Sequence, residues 1–226
     1  MSTTAQADPR TVLLKRVRLS FTEGIKDKQK VVEDGKERHG FNIIIEQVGD
    51  DAKAKKYAEE NKEKCIAAMK AAGLKEFGDE MAYKSIMEDD PKRLSFRKGE
   101  RFKNKETGKV YDGYTGNYAL SVSGPKGGQV RPKLKDRHKR DVEEKDIETV
   151  CYSGTYGDVY VSFYGTKEGG RGIFASAELV RSHQEGASMG RQFVYDDDEL
   201  DDLEDDDDDL GGGSSSSSAG ADLDDF

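Results

Sequence analysis

The sequence predicts an all-β barrel or sandwich that carries one helix. Three observations predict it. Short apolar–polar alternating stretches recur at close spacing between Gly-rich turns. One long helical pattern follows the second stretch, and the regular strand–helix alternation of a parallel sheet is missing.

Residues 1–9 are small and polar, and are expected to be disordered. Residues 11–21 read as a strand, with Leu13, Val17, Leu19 and Phe21 on one face, interrupted by Lys15, and Leu14, Arg16, Arg18 and Ser20 on the other. The polar stretch 22–38 reads as a loop or loose hairpin. Residues 40–48, GFNIIIEQV, form a nearly continuous apolar run that suits a strand buried on both faces. Asp50 or Asp51 then offers an N-cap. From 52 to 72 the residues Ala54, Tyr57, Ala58, Cys65, Ala68, Met69 and Ala72 recur at helical steps, polar Asn61 excepted, and Gly73 is the expected stop. Residues 81–87 read as a short strand or loop. Residues 94–102 read as a strand with a turn, 103–113 as a turn-rich segment, 116–123 as a strand and 124–128 as a flexible turn. The charge-dense stretch 131–145 has no clear period and reads as a loop. Residues 155–165, TYGDVYVSFYG, form the cleanest strand, with Val159, Val161 and Phe163 alternating with Tyr160, Ser162 and Tyr164. A Gly-rich turn at 167–172 leads into a last strand at 173–181. A small barrel of this content fits a five-stranded OB-fold over residues 10–195, a fold that binds oligonucleotides on one face.

The charge is divided unevenly. Residues 196–226 hold fifteen carboxylates and no Lys or Arg, so residues 1–195 carry a net +6 although the chain is −9. A like-charge run of this kind is expected to be a disordered interaction tail. Here it contains a Gly/Ser spacer at 211–220 and ends in a lone aromatic, Phe226. An extended chain advances ~3.3–3.6 Å per residue, close to the ~3.4 Å between phosphates on one strand. The run Asp205, Asp206, Asp207, Asp208 and Asp209 can therefore imitate a nucleic-acid backbone, and a basic body tied to such a mimic points to nucleic acid. Acidic tails also serve solubility alone, but that role needs no terminal aromatic.

Enzyme signatures are scarce. There is no GxxxxGK[ST], GxSxG, HExxH or paired CxxC. His39, His138 and His183 lie in polar stretches and read as surface residues. Cys65 and Cys151, far apart, read as reduced core thiols. The Asp run lacks the Gly and Glu spacing of a Ca²⁺ loop and would collect Mg²⁺ only loosely. Asp158 and Glu178 are the strand carboxylates a nuclease would need, but nothing in the sequence pairs them. No cofactor, metal site or catalytic residue is expected. No apolar run approaches the ~18 residues of a membrane span, and residues 1–9 carry no signal-peptide pattern.

Basic and aromatic residues interleave from 92 to 118: Arg93, Arg97, Lys98, Arg101, Lys103, Lys105, Lys109, Tyr111, Tyr114 and Tyr118 among them. Lys133 and Lys135 continue the basic density. Single-strand binding needs a positive groove for phosphates and aromatic platforms for bases, a stacked base being worth ~1–3 kcal/mol. Arg16, Arg18, Arg97 and Lys98 suit the backbone role; Tyr156, Tyr160 and Tyr164 suit the platform role, although a half-buried sheet position is the ordinary place for a Tyr. No helix has the spacing of a major-groove reader, so single strands and little sequence preference are expected.

The order of these segments resembles a known family. A short β start, GFNIIIEQV, a helix ending EKCIAAMKAAG, a basic β region, TYGDVYVSFYG followed by GRGIFASAELVRS, and an acidic ending LDDF are similar to the single-stranded-DNA-binding proteins of tailed bacteriophages. The resemblance spans roughly residues 10–183 plus the tail. It implies one OB-fold and a non-catalytic protein of replication, recombination and repair in the cytoplasm of the infected host. It further implies that the tail competes with DNA for the cleft, and that Asp224, Asp225 and Phe226 dock on the phage DNA polymerase and helicase-primase. The Gly/Ser spacer departs from a plain acidic tail, and the absence of Trp leaves the stacking residues open. Strand edges of an open barrel could pair two subunits. The rival readings are an RNA-binding OB module, since nothing here reads a 2′-OH, a tail-driven interaction or chaperone protein without a nucleic-acid site, and a Mg²⁺-dependent nuclease.

Overall fold

A computed structural model describes residues 8–30, 35–47 and 51–189. The expectations for residues 1–7 and for the acidic tail, including Asp205–Asp209, Asp224, Asp225 and Phe226, lie outside the described residues. The strands are β1 (Thr11–Ser20), β2 (Gly40–Ile45), β3 (Phe96–Lys98), β4 (Tyr118–Ser123), β5 (Lys133–Lys135), β6 (Tyr156–Thr166) and β7 (Gly172–Gln184). The main helices are α1 (Glu23–Lys26), α2 (Ala52–Phe77) and α3 (Ala82–Asp89).

The seven strands form one sheet in the order β3-β4-β2-β1-β6-β7-β5, with a further parallel pairing of Ser123 on β4 with Ser176 on β7. The pairings among the longer strands therefore run in a ring from β1 through β2, β4, β7 and β6 back to β1. Inside the ring lie Leu14, Leu19, Ile43, Ile45, Leu120, Val159, Val161 and Val180, and α2 adds Cys65, Ala68, Met69 and Ala72 to the same core. The expected five-stranded barrel with one helix becomes seven strands and several helical segments: β3 falls within the strand expected over 94–102, β5 is too short to show a period in the charge-dense stretch read as a loop, and α3 lies where a strand or loop was expected.

Strand β1 departs most from its expected pattern. Leu14 opposes Val159 and Val17 opposes Gly157, so Lys15 and Arg16 together face the single residue Asp158, which is a β-bulge. Arg16 takes a left-handed backbone, φ 50°. The bulge shifts the alternation by one, so Leu14, Val17 and Leu19 are all buried although simple alternation separates Leu14 from the other two. The backbone groups freed from the ladder are satisfied elsewhere. Asn61 of α2 accepts from the Lys15 amide at 3.0 Å and donates to its carbonyl at 2.7 Å, while the Arg16 amide donates to Asp158 Oδ1 at 3.0 Å. Asn61, the polar exception in the helical pattern, is thus the buried residue that ties α2 to the bulge.

Asp51 caps α2 as expected, its carboxylate accepting from the Lys53 amide at 2.9 Å. The helix runs past Gly73, however, to a left-handed cap at Gly78, φ 72°. Gly73 serves close approach instead, since a Cβ there would stand 2.7 Å from the Asp79 carbonyl oxygen. Both cysteines are free and buried. Burial pushes the Cys151 thiol up to about 12, so neither behaves as a nucleophile. His39 corrects the surface expectation: it is buried, with Nδ1 3.2 Å from the Gly24 carbonyl oxygen. Among the described residues no helix is long and apolar enough to cross a membrane.

Candidate nucleic-acid interface

Outside the ring, the segment between β3 and β4 folds against β2 and β4. Phe102 and Tyr114 pack with Ile44 and Ala119 into a second apolar cluster, joined by Val110, Tyr111 and Met189. Tyr114 is fully buried there. Its hydroxyl donates to Ser20 Oγ at 3.1 Å and accepts from Asn42 Nδ2 at 2.9 Å. The sequence counted Tyr114 among the interleaved DNA-binding candidates; the structure makes it core, because the turn-rich segment needs its own apolar anchor on the sheet.

The cations of this segment stand differently. Among the described residues the side chains of Arg97, Lys98, Arg101, Lys103, Lys105 and Lys109 form no hydrogen bond or ion pair. Arg97 is half-buried, its guanidinium 4.4 Å from the Phe102 ring centroid. Burial, and next the charge of Arg101, pull its proton affinity down, and the more distant Asp90 offsets this only in part. Lys98, Arg101 and Tyr118 line an open cleft of about 710 Å³ with Gln47, Lys62, Glu100, Gly116 and Asn117. Phe96 stacks on Tyr118 at 5.3 Å between centroids, and Lys62 Nζ stands 5.4 Å from the same ring. Nothing in the sequence spacing marks Lys62, since only the packing of α2 brings it to Tyr118.

Other expected residues are already engaged. Arg16 pairs with Asp51 at 3.0 Å. Arg18 pairs with Glu46 at 3.2 Å, donates to the Ala187 carbonyl at 2.7 Å and lies 5.7 Å from the Tyr156 ring centroid. The Tyr156 hydroxyl donates to Glu46 at 2.8 Å. Arg93 is committed to structure, donating to the carbonyls of Arg171, Glu168 and Gly170 at 3.0, 2.7 and 2.6 Å and so clasping the β6–β7 turn. Lys135 pairs with Asp141 at 2.7 Å, and Lys133 is exposed on β5. Tyr160 and Tyr164 are exposed on β6 as their alternation predicted, away from the cluster around Phe102.

The strand carboxylates do not form a nuclease pair. Burial pushes the Asp158 carboxyl up, but hydrogen bonds from His183, the Arg16 amide and Arg181 outweigh it and hold it at about 2. Glu178 is exposed and accepts from Ser176 Oγ at 2.9 Å. No cluster of metal-ligating side chains occurs among the described residues. The last described residues cross the outer face of the sheet: Met189 donates its amide to the Ser153 carbonyl at 2.8 Å and packs in the Phe102 cluster.

A family model described as Enterobacter phage Enc34, ssDNA-binding protein, matches residues 10–210. A curated relative, putative protein p50 of Acyrthosiphon pisum secondary endosymbiont phage 1, is 34% identical over 124 residues, which is 55% of this chain and 60% of that protein's length. The single-stranded-DNA-binding protein of bacteriophage Enc34 shares the fold. Its free structure has a TM-score of 0.60 at 12% identity, over 88% of this chain and 97% of that one. Its structure in complex with ssDNA has a TM-score of 0.59 at 11% identity, over 83% and 97%. The family and the solved neighbours are described as ssDNA-binding proteins.

Proposed function

The chain belongs to the phage Enc34 single-stranded-DNA-binding protein family, and from that premise we propose that it coats single-stranded DNA with little sequence preference. One observation carries the reading: the run of cations from Arg97 to Lys109, whose side chains form no ion pair or hydrogen bond among the described residues, set beside an aromatic cluster on the outer sheet face. Phosphates supply the missing anions, and Arg97, half-buried over Phe102, is the cation that gains most from one. Lys98, Arg101, Lys62 and Tyr118 extend the track through the open cleft. Arg18 and Tyr156 join it when DNA displaces Glu46. The ring of five longer strands is read as an OB-type barrel with β3 and β5 appended, supported by the return pairing of β4 with β7.

In the same reading the acidic tail competes with DNA for this face when strands are scarce. Phe226, with Asp224 and Asp225, carries the protein to the phage polymerase and helicase-primase during replication, recombination and repair in the infected cell. The test is a titration of labelled oligo(dT) with the full chain and with a chain ending at Tyr195, at two salt concentrations, against duplex and poly(U) competitors. The expected result is tight binding that weakens with salt with a slope near −0.7 per neutralised phosphate, strengthens when the tail is removed and resists both competitors. Absence of binding by either chain overturns the reading, and preference for poly(U) moves it to RNA.

A further inference from the structure

Resting on that reading, we propose that Phe21, with Tyr111 as its support, is a base-stacking platform of the interface. The sequence pattern put Phe21 on the inward face with Leu19. The structure turns it out: Phe21 is 41% exposed, whereas Leu19 is fully buried. Its backbone is left-handed, φ 54°, a conformation that non-glycine residues avoid and that is an outlier for a bulky side chain.

The surroundings hold that conformation in place. On one side Leu19 exchanges backbone hydrogen bonds with the 154–155 turn, its amide to the Thr155 carbonyl at 2.9 Å and its carbonyl from the Gly154 amide at 2.8 Å. On the other, the Thr22 amide donates to Ser153 Oγ at 3.2 Å. An unfavourable backbone held by its neighbours, with the aromatic ring it carries left 41% exposed, is what a functional position looks like.

The ring so displayed ends a continuous aromatic series. Phe21 meets Tyr111 edge to face at 4.8 Å between centroids. Tyr111 lies 5.9 Å from Tyr114, and Tyr114 5.3 Å from Phe102. Arg97 stands over Phe102 at the far end. One end of the series offers an unpaired cation and the other an exposed ring backed by packed rings. A single strand needs both, a charge for its phosphate and a π-face for its base, and stacking on such a face tolerates any base.

The chain has no Trp, so Phe21→Trp introduces a single reporter. Its emission is recorded while a labelled oligo(dT) reports binding by anisotropy in the same cuvette. The expected result is binding at native affinity with quenching of the Trp emission. Phe21→Ala should weaken oligo(dT) binding by about 5- to 150-fold, the range equivalent to ~1–3 kcal/mol for one stacked base, and leave binding of an abasic oligonucleotide within about twofold. Phe21→Gly relieves the left-handed backbone, so its unfolding midpoint should hold or rise while oligo(dT) affinity falls as in the Ala variant; a purely structural Phe21 would lower the midpoint. Anisotropy that rises with unchanged Trp emission, or full oligo(dT) affinity in Phe21→Ala, overturns the platform while leaving the DNA-binding reading intact. No binding by the native chain removes both.

Discussion

The cations on the two sides of this molecule are used in opposite ways. Around β6 and β7 they are consumed by the fold: Arg93 clasps three carbonyls of the β6–β7 turn, and Arg181 closes on Asp158, whose other oxygen meets the His183 ring. Between Arg97 and Lys109 the cations meet no such partner among the described residues, and Arg97 is held half-buried all the same. The first set lowers the free energy of the folded chain. Of the second set only Arg97 is withdrawn from water, a small cost that an arriving anion offsets; the others stand exposed and contribute little to the folded chain. Counting basic residues along a sequence cannot separate the two; finding which of them already have an acceptor can.

The contrast is tested most severely by removing each set. Arg97→Ala with Lys98→Ala and Arg101→Ala should weaken oligo(dT) binding by more than tenfold. The salt slope should become shallower by about 2, at ~0.7 per lost phosphate contact, with the unfolding midpoint unchanged. Arg93→Ala should do the reverse, lowering the midpoint in a denaturant titration while the salt slope stays. An equal loss of slope in both variants would erase the distinction.

Next in size is Asp158→Asn, which leaves Arg181 without its carboxylate and weakens the anchor of the bulge; a loss of roughly 1–3 kcal/mol in urea is expected. Asp158 has a folded value of about 2, below the ordinary 3.8. Its contribution is therefore present above the ordinary value and disappears as pH falls from about 4 toward about 2. The native chain should lose stability over that window and the Asn variant should lose less, as thermal melts at stepped pH would reveal.

Asn61→Ala removes both hydrogen bonds to Lys15 and should cost about 1–3 kcal/mol in the same urea titration. DNA affinity measured alongside should be nearly constant. The smallest effects are expected for Tyr160→Ala and Tyr164→Ala, within about twofold in oligo(dT) affinity, because neither ring joins the series that leads to Arg97. A loss nearer the ~1–3 kcal/mol of a stacked base would extend the interface around β6.

What the sequence disclosed depended on whether a local rule governed the position. The alternation in β6 was legible because both faces of a long strand obey period two, and Val159, Val161 and Phe163 are buried as it requires. The Asp51 cap was legible because capping is local. The face of Phe21 was not, since a one-residue bulge and a left-handed turn intervene and neither leaves a signature in Arg16 or Phe21 themselves. α3 was missed because its short span, AYKSIMED, has no side-chain cap. Lys62 and Asn61 sat in plain view on α2, but their roles come from what the helix packs against. Tyr114 was read from its charged neighbours, yet the sheet beneath decided its burial.

The bulge in β1 acts as a phase shifter. Upstream, Leu14 faces inward; downstream, Val17 and Leu19 do, and Arg18 points out because one extra residue was spent between them. Deleting Lys15 would return the strand to plain alternation. Leu14, Val17 and Leu19 would keep the inward face and Arg16 alone would oppose Asp158, but the amide and carbonyl that Asn61 holds would be gone. The bulge therefore absorbs the extra residue without altering which side chains face inward, and what that residue adds is a fastening point for α2: a chain that lost it would leave Asn61 buried without its partners.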